Sequence, residues 1–289
     1  MAKIGIIGGS GIYKIEGLKN CREVEVQTPF GRPSDVYRVG ELEGVDVVFL
    51  PRHGSQHTIN PSEINYRANI YGMKKLGVER LISVSACGSL KKELKPLDFV
   101  LPDQFVDRTN QARQMTFFQN GIVAHISFAS PVCGELAKII YEAAKTLKLT
   151  VHAKGTYLNM EGPAFSTKAE SELYRSWGMD IIGMTNMAEA RLAREAEMCF
   201  VTVAAITDYD CWYEAHESVT VEMVVANLMK NADHAKRLIK DCISRMSQEY
   251  SCGCHEALKY AIVTHKDAIS SETKQRLEPI IGKYVISTK

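Results

Sequence analysis

The chain alternates short, nearly continuous apolar runs with longer stretches of helical period, and this alternation restricts its fold more than any other feature. The segments "KIGIIGG", "VDVVFL", "RLISVSA", "DFVLP", "TVHAKGTYLNM", "DIIGM" and "MCFVTVAAIT" read as strands. They are short, and most lack the in–out alternation of a sheet with one wet face. Between several of them, "EINYRANIYGMKKLG", "PVCGELAKIIYEAAKTLK" and "KAESELYRSWG" repeat apolar residues at helical spacing. The pattern predicts an α/β fold with a central mixed β-sheet flanked by helices on both faces. Nothing in composition marks a linker or repeat, so the expectation is a single domain over 1–289 with a helical C-terminal segment from about 218 to 289.

Composition narrows the partners. With 289 residues, 45% of them hydrophobic, the chain can bury a substantial core, and a net charge of +1 makes no electrostatic case for nucleic acid or an anionic membrane. No apolar stretch approaches the roughly 20 residues of a membrane span. The expectation is a cytoplasmic protein whose partner is a small molecule or another copy of itself. Eight cysteines are scattered along the chain, and only "SCGCHEAL" clusters locally. Cys252, Cys254 and His255 raise the thought of zinc, but no second cysteine or histidine pair follows at finger-like spacing, so no metal is expected.

Parallel sheets bind ligands beyond the carboxyl ends of their strands. The residues there are polar and small: "GGSG", "PRHGSQH", "SACGS", "MTN" and "TDYD". The first glycine turn fails the G-x-G-x-x-G register and matches no Walker motif, leaving backbone N–H groups and Ser10 as holders of an oxyanion or a plain tight turn. Arg52, His53 and His57 fit either a solvated basic loop or an anion site in which the arginine fork grips two oxygens. Ser85, the Ala86 N–H and Thr185 stand at further strand ends. Together these donors are what a phosphate dianion requires, and they predict a phosphate site.

"TDYDCW" sets Asp208 and Asp210 at the end of the last apolar run. Trp212 stands where a magnesium phosphotransferase motif needs Thr or Val, and no later acidic pair completes a metal site, which disfavours magnesium. The remaining reading turns the acids toward a purine, one accepting from an exocyclic amino group and one, protonated, donating to a ring nitrogen.

Taken in order, "KIGIIGGSGIY", "PRHGSQHTINPSEINYRANI", "SACGSLKKELKPLDFVLPDQFVDRT", "KGTYLNMEGPAFSTKAES", "MTNMAEARLAREAEMCF" and "TDYDCW" resemble the methylthioadenosine phosphorylase branch of the trimeric purine nucleoside phosphorylases. The resemblance implies phosphate binding by Ser10, Arg52, His53, Ser85, Ala86 and Thr185, and ribose contact by Met184. It implies a base pocket of Ser166, Asp208 and Asp210, and a 5′-methylthio pocket of His57, Val221 and Val224 completed by His125 of the partner subunit. Ser166 replaces the glutamate, and Asp208 the asparagine, of relatives that cleave 6-oxopurines, which favours a 6-aminopurine. The implied reaction is phosphorolysis of S-methyl-5′-thioadenosine, with Asp208 as proton donor to N7, inorganic phosphate as co-substrate and no cofactor. A broader purine nucleoside or methylthioinosine phosphorylase is the nearest alternative, and a non-catalytic nucleoside sensor a distant one. The resemblance also implies a homotrimer, or else a homohexamer, and a paired-cysteine element in "SCGC" able to form a bridge.

Overall fold

The computed structural model describes residues 3–9, 12, 14–110, 113–213, 221–246 and 252–285, with no account of the side chains of 221–224. In chain order the strands are β1 (Lys3–Gly8), β2 (Lys19–Val24), β3 (Tyr37–Leu42), β4 (Val45–Pro51), β5 (Val78–Ser89), β6 (Phe99–Val100), β7 (Gln104–Arg108), β8 (Val151–His152), β9 (Thr156–Met160), β10 (Ile181–Gly183) and β11 (Cys199–Asp208). The helices are α1 (Tyr66–Lys75), α2 (Gly134–Thr146), α3 (Lys168–Ser176), α4 (Asn186–Glu195), α5 (Val221–Arg245), α6 (Ser271–Arg276) and α7 (Glu278–Val285).

All the described strands join one mixed sheet, in the order β2-β3-β4-β1-β5-β10-β9-β7, with β11 on the other edge of β5 and β6 and β8 beyond it. The pairings of β1 with β4 and β5, and of β5 with β11, are parallel. Period-two geometry sends alternate side chains of one strand to opposite faces. From β1, Ile4 and Ile6 enter one core with α2 and α5, while Ile7 enters another with α1, α4 and α7. On β4, Val45, Val47 and Phe49 join the first core and Val48 and Leu50 the second. Both faces are therefore dry, which is why these strands read as continuous apolar runs. Among the described residues no helix is long and apolar enough to cross a membrane.

Differences from the sequence reading have physical causes. β2, "KNCREV", is almost wholly exposed and carries no apolar alternation. α4 is buried nearly all round, polar residues included, so it has no wet face to create a helical period. "TVHAKGTYLNM" breaks into β8 and β9, which pair with different neighbours. The polar tail contains α6 and α7, and Ile280 and Ile281 of α7 are core residues.

Candidate active site

The site opens along β5. β1 pairs with this strand only as far as Ser83, and β10 takes up the same edge at Gly88 and Ser89. Between them, Val84 to Cys87 lack a strand partner on that edge among the described residues. β1, β4 and β10 end beside this gap at Gly8, Pro51 and Gly183, a switch point of the kind where open α/β sheets take ligands.

Arg52, one residue past β4, closes the back of the gap. Its Nη1 donates to the Val84 carbonyl at 3.0 Å and its Nη2 to Ser83 Oγ at 2.7 Å. Its Nε and Nη2 also donate to Glu189, at 2.5 and 3.1 Å. Ser83 Oγ donates to Glu189 Oε2 at 2.6 Å, and Asn186 Nδ2 donates to Ser83 Oγ at 2.6 Å. Burial pulls the Arg52 pKa down, and the Glu189 carboxylate outweighs it for a net rise. The fork expected to grip phosphate thus grips Glu189, leaving one Nη1–H for an anion. The sequence reading missed Glu189 as a site residue; its trace was a lone acid in the first turn of α4.

The remaining anion donors lie in front of this pair. Thr185 is the N-cap of α4 and makes no side-chain capping bond, so its hydroxyl is open to a negative charge at the positive end of the helix, while the Met187 N–H in the first turn donates to Asn159 Oδ1 at 3.0 Å. Ser85 Oγ makes long contacts, donating to the Ala86 carbonyl at 3.4 Å and accepting from the Cys87 thiol at 3.8 Å, and Ala86 is exposed. His53 Nδ1 lies 2.8 Å from the Ile59 carbonyl and its ring stacks on His57 at 4.6 Å. Burial, reinforced by the Arg52 charge, lowers the His53 pKa to about 4. It is a neutral imidazole at neutral pH, with Nδ1–H donating to Ile59 and the Nε2 lone pair left over. Ser10 lies outside the described residues.

Met184 is held from two sides. Arg113 Nη1 donates to its carbonyl at 2.6 Å while Arg113 Nη2 donates to the Glu161 carbonyl at 2.6 Å and to Glu161 Oε1 at 3.0 Å. Gly162 has φ +73°, and a Cβ there would come within 2.4 Å of Met184 Sδ. Arg113 and Glu161 carried no sequence signal, because their partnership spans 48 residues.

The two acids sit where β11 leaves the sheet. Asp208 Oδ2 accepts from Thr207 Oγ1 at 2.6 Å and Asp208 Oδ1 from the Asp210 N–H at 2.8 Å. Asp210 is in the left-handed region at φ +53°, and its Oδ2 accepts from Ser171 Oγ at 2.5 Å. Burial raises both pKa values; the Thr207 hydroxyl and the Asp210 N–H partly offset the rise at Asp208, and the Ser171 hydroxyl does so at Asp210. Gly88, opposite Asp208 in register, keeps room for them: a Cβ would lie 3.1 Å from Asp208 Oδ1 and 3.4 Å from Asp210 Cβ. Ser166 approaches through its carbonyl, which accepts from the Cys211 thiol at 3.4 Å. Trp212 Nε1 donates to the Ser89 carbonyl at 2.7 Å, and the Arg175 guanidinium stacks 3.6 Å from its ring centroid. The tryptophan braces the turn.

The expected 5′ pocket is less defined. His57 is exposed with φ +56°, and Val221 and Val224 fall in the first turn of α5 with side chains outside the described residues. His125 is exposed beside an isolated bridge, its N–H donating to the Ala261 carbonyl, and joins none of the groups above within the chain. The expectation of no metal rested on ligand spacing along the chain, and the fold removes that ground: Cys133 and Cys199 arrive beside Cys252 and Cys254.

Comparison with known proteins agrees with this geometry, a sheet switch point carrying anion donors and a strand-end acid pair. The sequence model of the Phosphorylase superfamily matches residues 3–244. The chain is 57% identical to the S-methyl-5′-thioadenosine phosphorylase of Geobacter sulfurreducens, over 98% of this chain and 99% of the relative. It is also 57% identical to that of Koribacter versatilis, over 98% and 97%. Among solved structures, a methylthioadenosine phosphorylase from an antarctic soil metagenomic library superposes with a TM-score of 0.92 at 50% identity, covering 96% of this chain and 98% of that one. The Schistosoma mansoni methylthioadenosine phosphorylase in complex with adenine gives 0.81 at 36% identity, covering 90% and 96%. The chain belongs to the phosphorylase superfamily and, within it, to the family of the S-methyl-5′-thioadenosine phosphorylases.

Proposed function

We propose that this chain catalyses the reversible phosphorolysis of S-methyl-5′-thioadenosine to adenine and 5-methylthio-α-D-ribose 1-phosphate, a step of purine and methionine salvage. The observation that carries the reading is the carboxyl pair at the end of β11, Asp210 buried and Asp208 half-buried, beside the strand β5 that carries Ser85 and across it from β10, after which Thr185 stands. The relatives named for this reaction match the chain over nearly its whole length.

Breaking an N-glycosidic bond leaves an oxocarbenium-like sugar and a purine that gathers negative charge, so catalysis must stabilise both halves. Ser85, the Ala86 N–H, Thr185, the α4 N-terminus and the one open N–H of Arg52 hold phosphate beneath the ribose, where its charge faces the developing cation. The lone pair of His53 Nε2 accepts from a phosphate hydroxyl, or takes a proton once the dianion raises its pKa. Met184, fixed by Arg113 and Gly162, packs against the sugar. Asp208, its carboxyl pKa raised by burial, donates to N7 of the departing base, and Asp210 accepts from the 6-amino group.

The assembly in this reading is a homotrimer in which His125 of the partner subunit completes the 5′ pocket, a homohexamer being its doubled form. Release of adenine from methylthioadenosine, followed with and without phosphate, tests the reaction: adenine and a sugar phosphate should form only with phosphate. Equal rates in phosphate-free buffer would make the protein a hydrolase. Full activity in a monomer, judged by light scattering, would remove the partner histidine.

A further inference from the structure

Four cysteines from three distant parts of the chain meet at the opposite end of β11 from the acids. Cys133 is the N-cap of α2, Cys199 is the first residue of β11, and Cys252 and Cys254 lie at the start of the segment 252–285. Their Sγ atoms all lie within 4.8 Å of one another. Tetrahedral zinc with thiolate ligands at about 2.3 Å sets its sulfurs about 3.8 Å apart, so the four already stand near the vertices such an ion requires. Cys133, Cys199 and Cys254 are buried, with Cys252 packed against them.

The surroundings suit a bound cation. His255 Nδ1 lies 3.1 Å from the Glu197 carbonyl and its Nε2 3.7 Å from Cys199 Sγ. His255 thereby stands against the cluster as an outer contact of the kind that orients ligands in such centres. Magnesium and calcium prefer oxygen ligands, whereas an all-thiolate tetrahedron selects zinc-like, thiophilic ions.

We propose that Cys133, Cys199, Cys252 and Cys254 bind one zinc ion as a structural centre that fastens the C-terminal segment to α2 and β11. The four side chains supply thiolates, and each ligating thiol gives up its proton to solvent. The ten-residue strand β11 separates this centre from Asp208 by about 30 Å at 3.3 Å per residue, so the ion takes no part in the reaction. It tethers the segment that carries α7, whose Ile280 and Ile281 pack in the same core as Ile70 and Met73 of α1.

The experiment uses the full chain, purified under a phosphine reductant without chelator, with zinc content read by elemental analysis. About one zinc per chain is expected, and none in the double variant Cys252→Ser/Cys254→Ser. Cobalt titrated into metal-free wild-type protein should give thiolate-to-cobalt charge-transfer bands and the intense visible bands of a tetrahedral site. Removing zinc should lower Tm of the wild type and leave kcat/KM of the folded enzyme within about two-fold. Lack of the cobalt spectrum in folded, reduced protein overturns the proposal, even if the variants fail to fold. So does a native mass short by the hydrogens of one or two disulfides in protein kept anaerobic from lysis onward, or equal thiol reactivity with and without zinc.

Discussion

Arg52 and Glu189 form a two-pronged ion pair, at 2.5 and 3.1 Å, with side chains only 3% and 1% exposed. The pair joins the loop after β4 to the first turn of α4, and through Ser83 and Val84 to the opened edge of β5. It sets the separation between the strand ends that form the anion site, so arginine here serves as a brace as well as a ligand.

Arg52→Ala should therefore cost about 3–5 kcal/mol of stability, because it leaves a buried carboxylate without its cation. Arg52→Ala/Glu189→Ala should recover part of that loss in urea unfolding. Phosphate KM should rise in both variants. A single variant as stable as the wild type would show that the brace carries nothing.

Asp208→Asn removes the transferable proton and keeps a side-chain N–H. Its turnover of methylthioadenosine should fall by roughly 10²–10⁴-fold with substrate still bound. The loss on methylthioinosine should be smaller. Asp210→Asn should mainly raise KM for 6-aminopurines. Parallel kcat and KM values for both substrates decide the assignment, and near-normal turnover by Asp208→Asn would move the proton elsewhere.

The same two carboxyls have pKa values raised by burial. A raised carboxyl contributes stability that is complete below the unfolded value and is lost as pH climbs through the folded value, so each acid weighs against the fold once it is ionised. Asp210→Asn should keep or increase Tm at pH 7 while impairing catalysis. Thermal unfolding of the two proteins side by side is the measurement.

Glu195, at the end of α4, accepts from the Phe117 N–H and the Thr116 hydroxyl, both at 2.7 Å. Burial still raises its pKa from 4.5 to about 7. Its contribution is complete below the unfolded value and is lost as pH rises through the folded one, an effect of roughly 3 kcal/mol between those limits. Unfolding free energy followed from pH 4.5 to 8 should show this decline in the wild type, and Glu195→Gln should lack it.

Gly88→Ala places a methyl 3.1 Å from Asp208 Oδ1 and from Ile182 Cγ2. The acids must shift by a few tenths of an ångström, and misplacement of this kind is expensive for proton transfer. Turnover should drop at least ten-fold with phosphate KM little changed. Unaltered kcat would mean that the acids tolerate displacement.

By itself the sequence determined the layered fold and the places where chemistry could stand. β1, β4, β5 and β11 are dry on both faces, so burial wrote them as apolar runs, and the polar residues that follow each run had to lie at strand ends. Asp208, Asp210 and Thr185 stand at strand ends for that reason, whereas Ser85, expected at one, lies inside β5 and is reached because β1 pairs only as far as Ser83. Tertiary structure alone decided which donors were already engaged. Arg52 meets Glu189 across 137 residues, and Arg113 meets Glu161 across 48. Cys133, Cys199 and Cys252 converge although no finger-like spacing announces them. Periodicity records whether a side chain faces core or water, because burial repeats with the local geometry of the chain. It carries no record of partners that only the closing of the sheet brings within hydrogen-bonding distance.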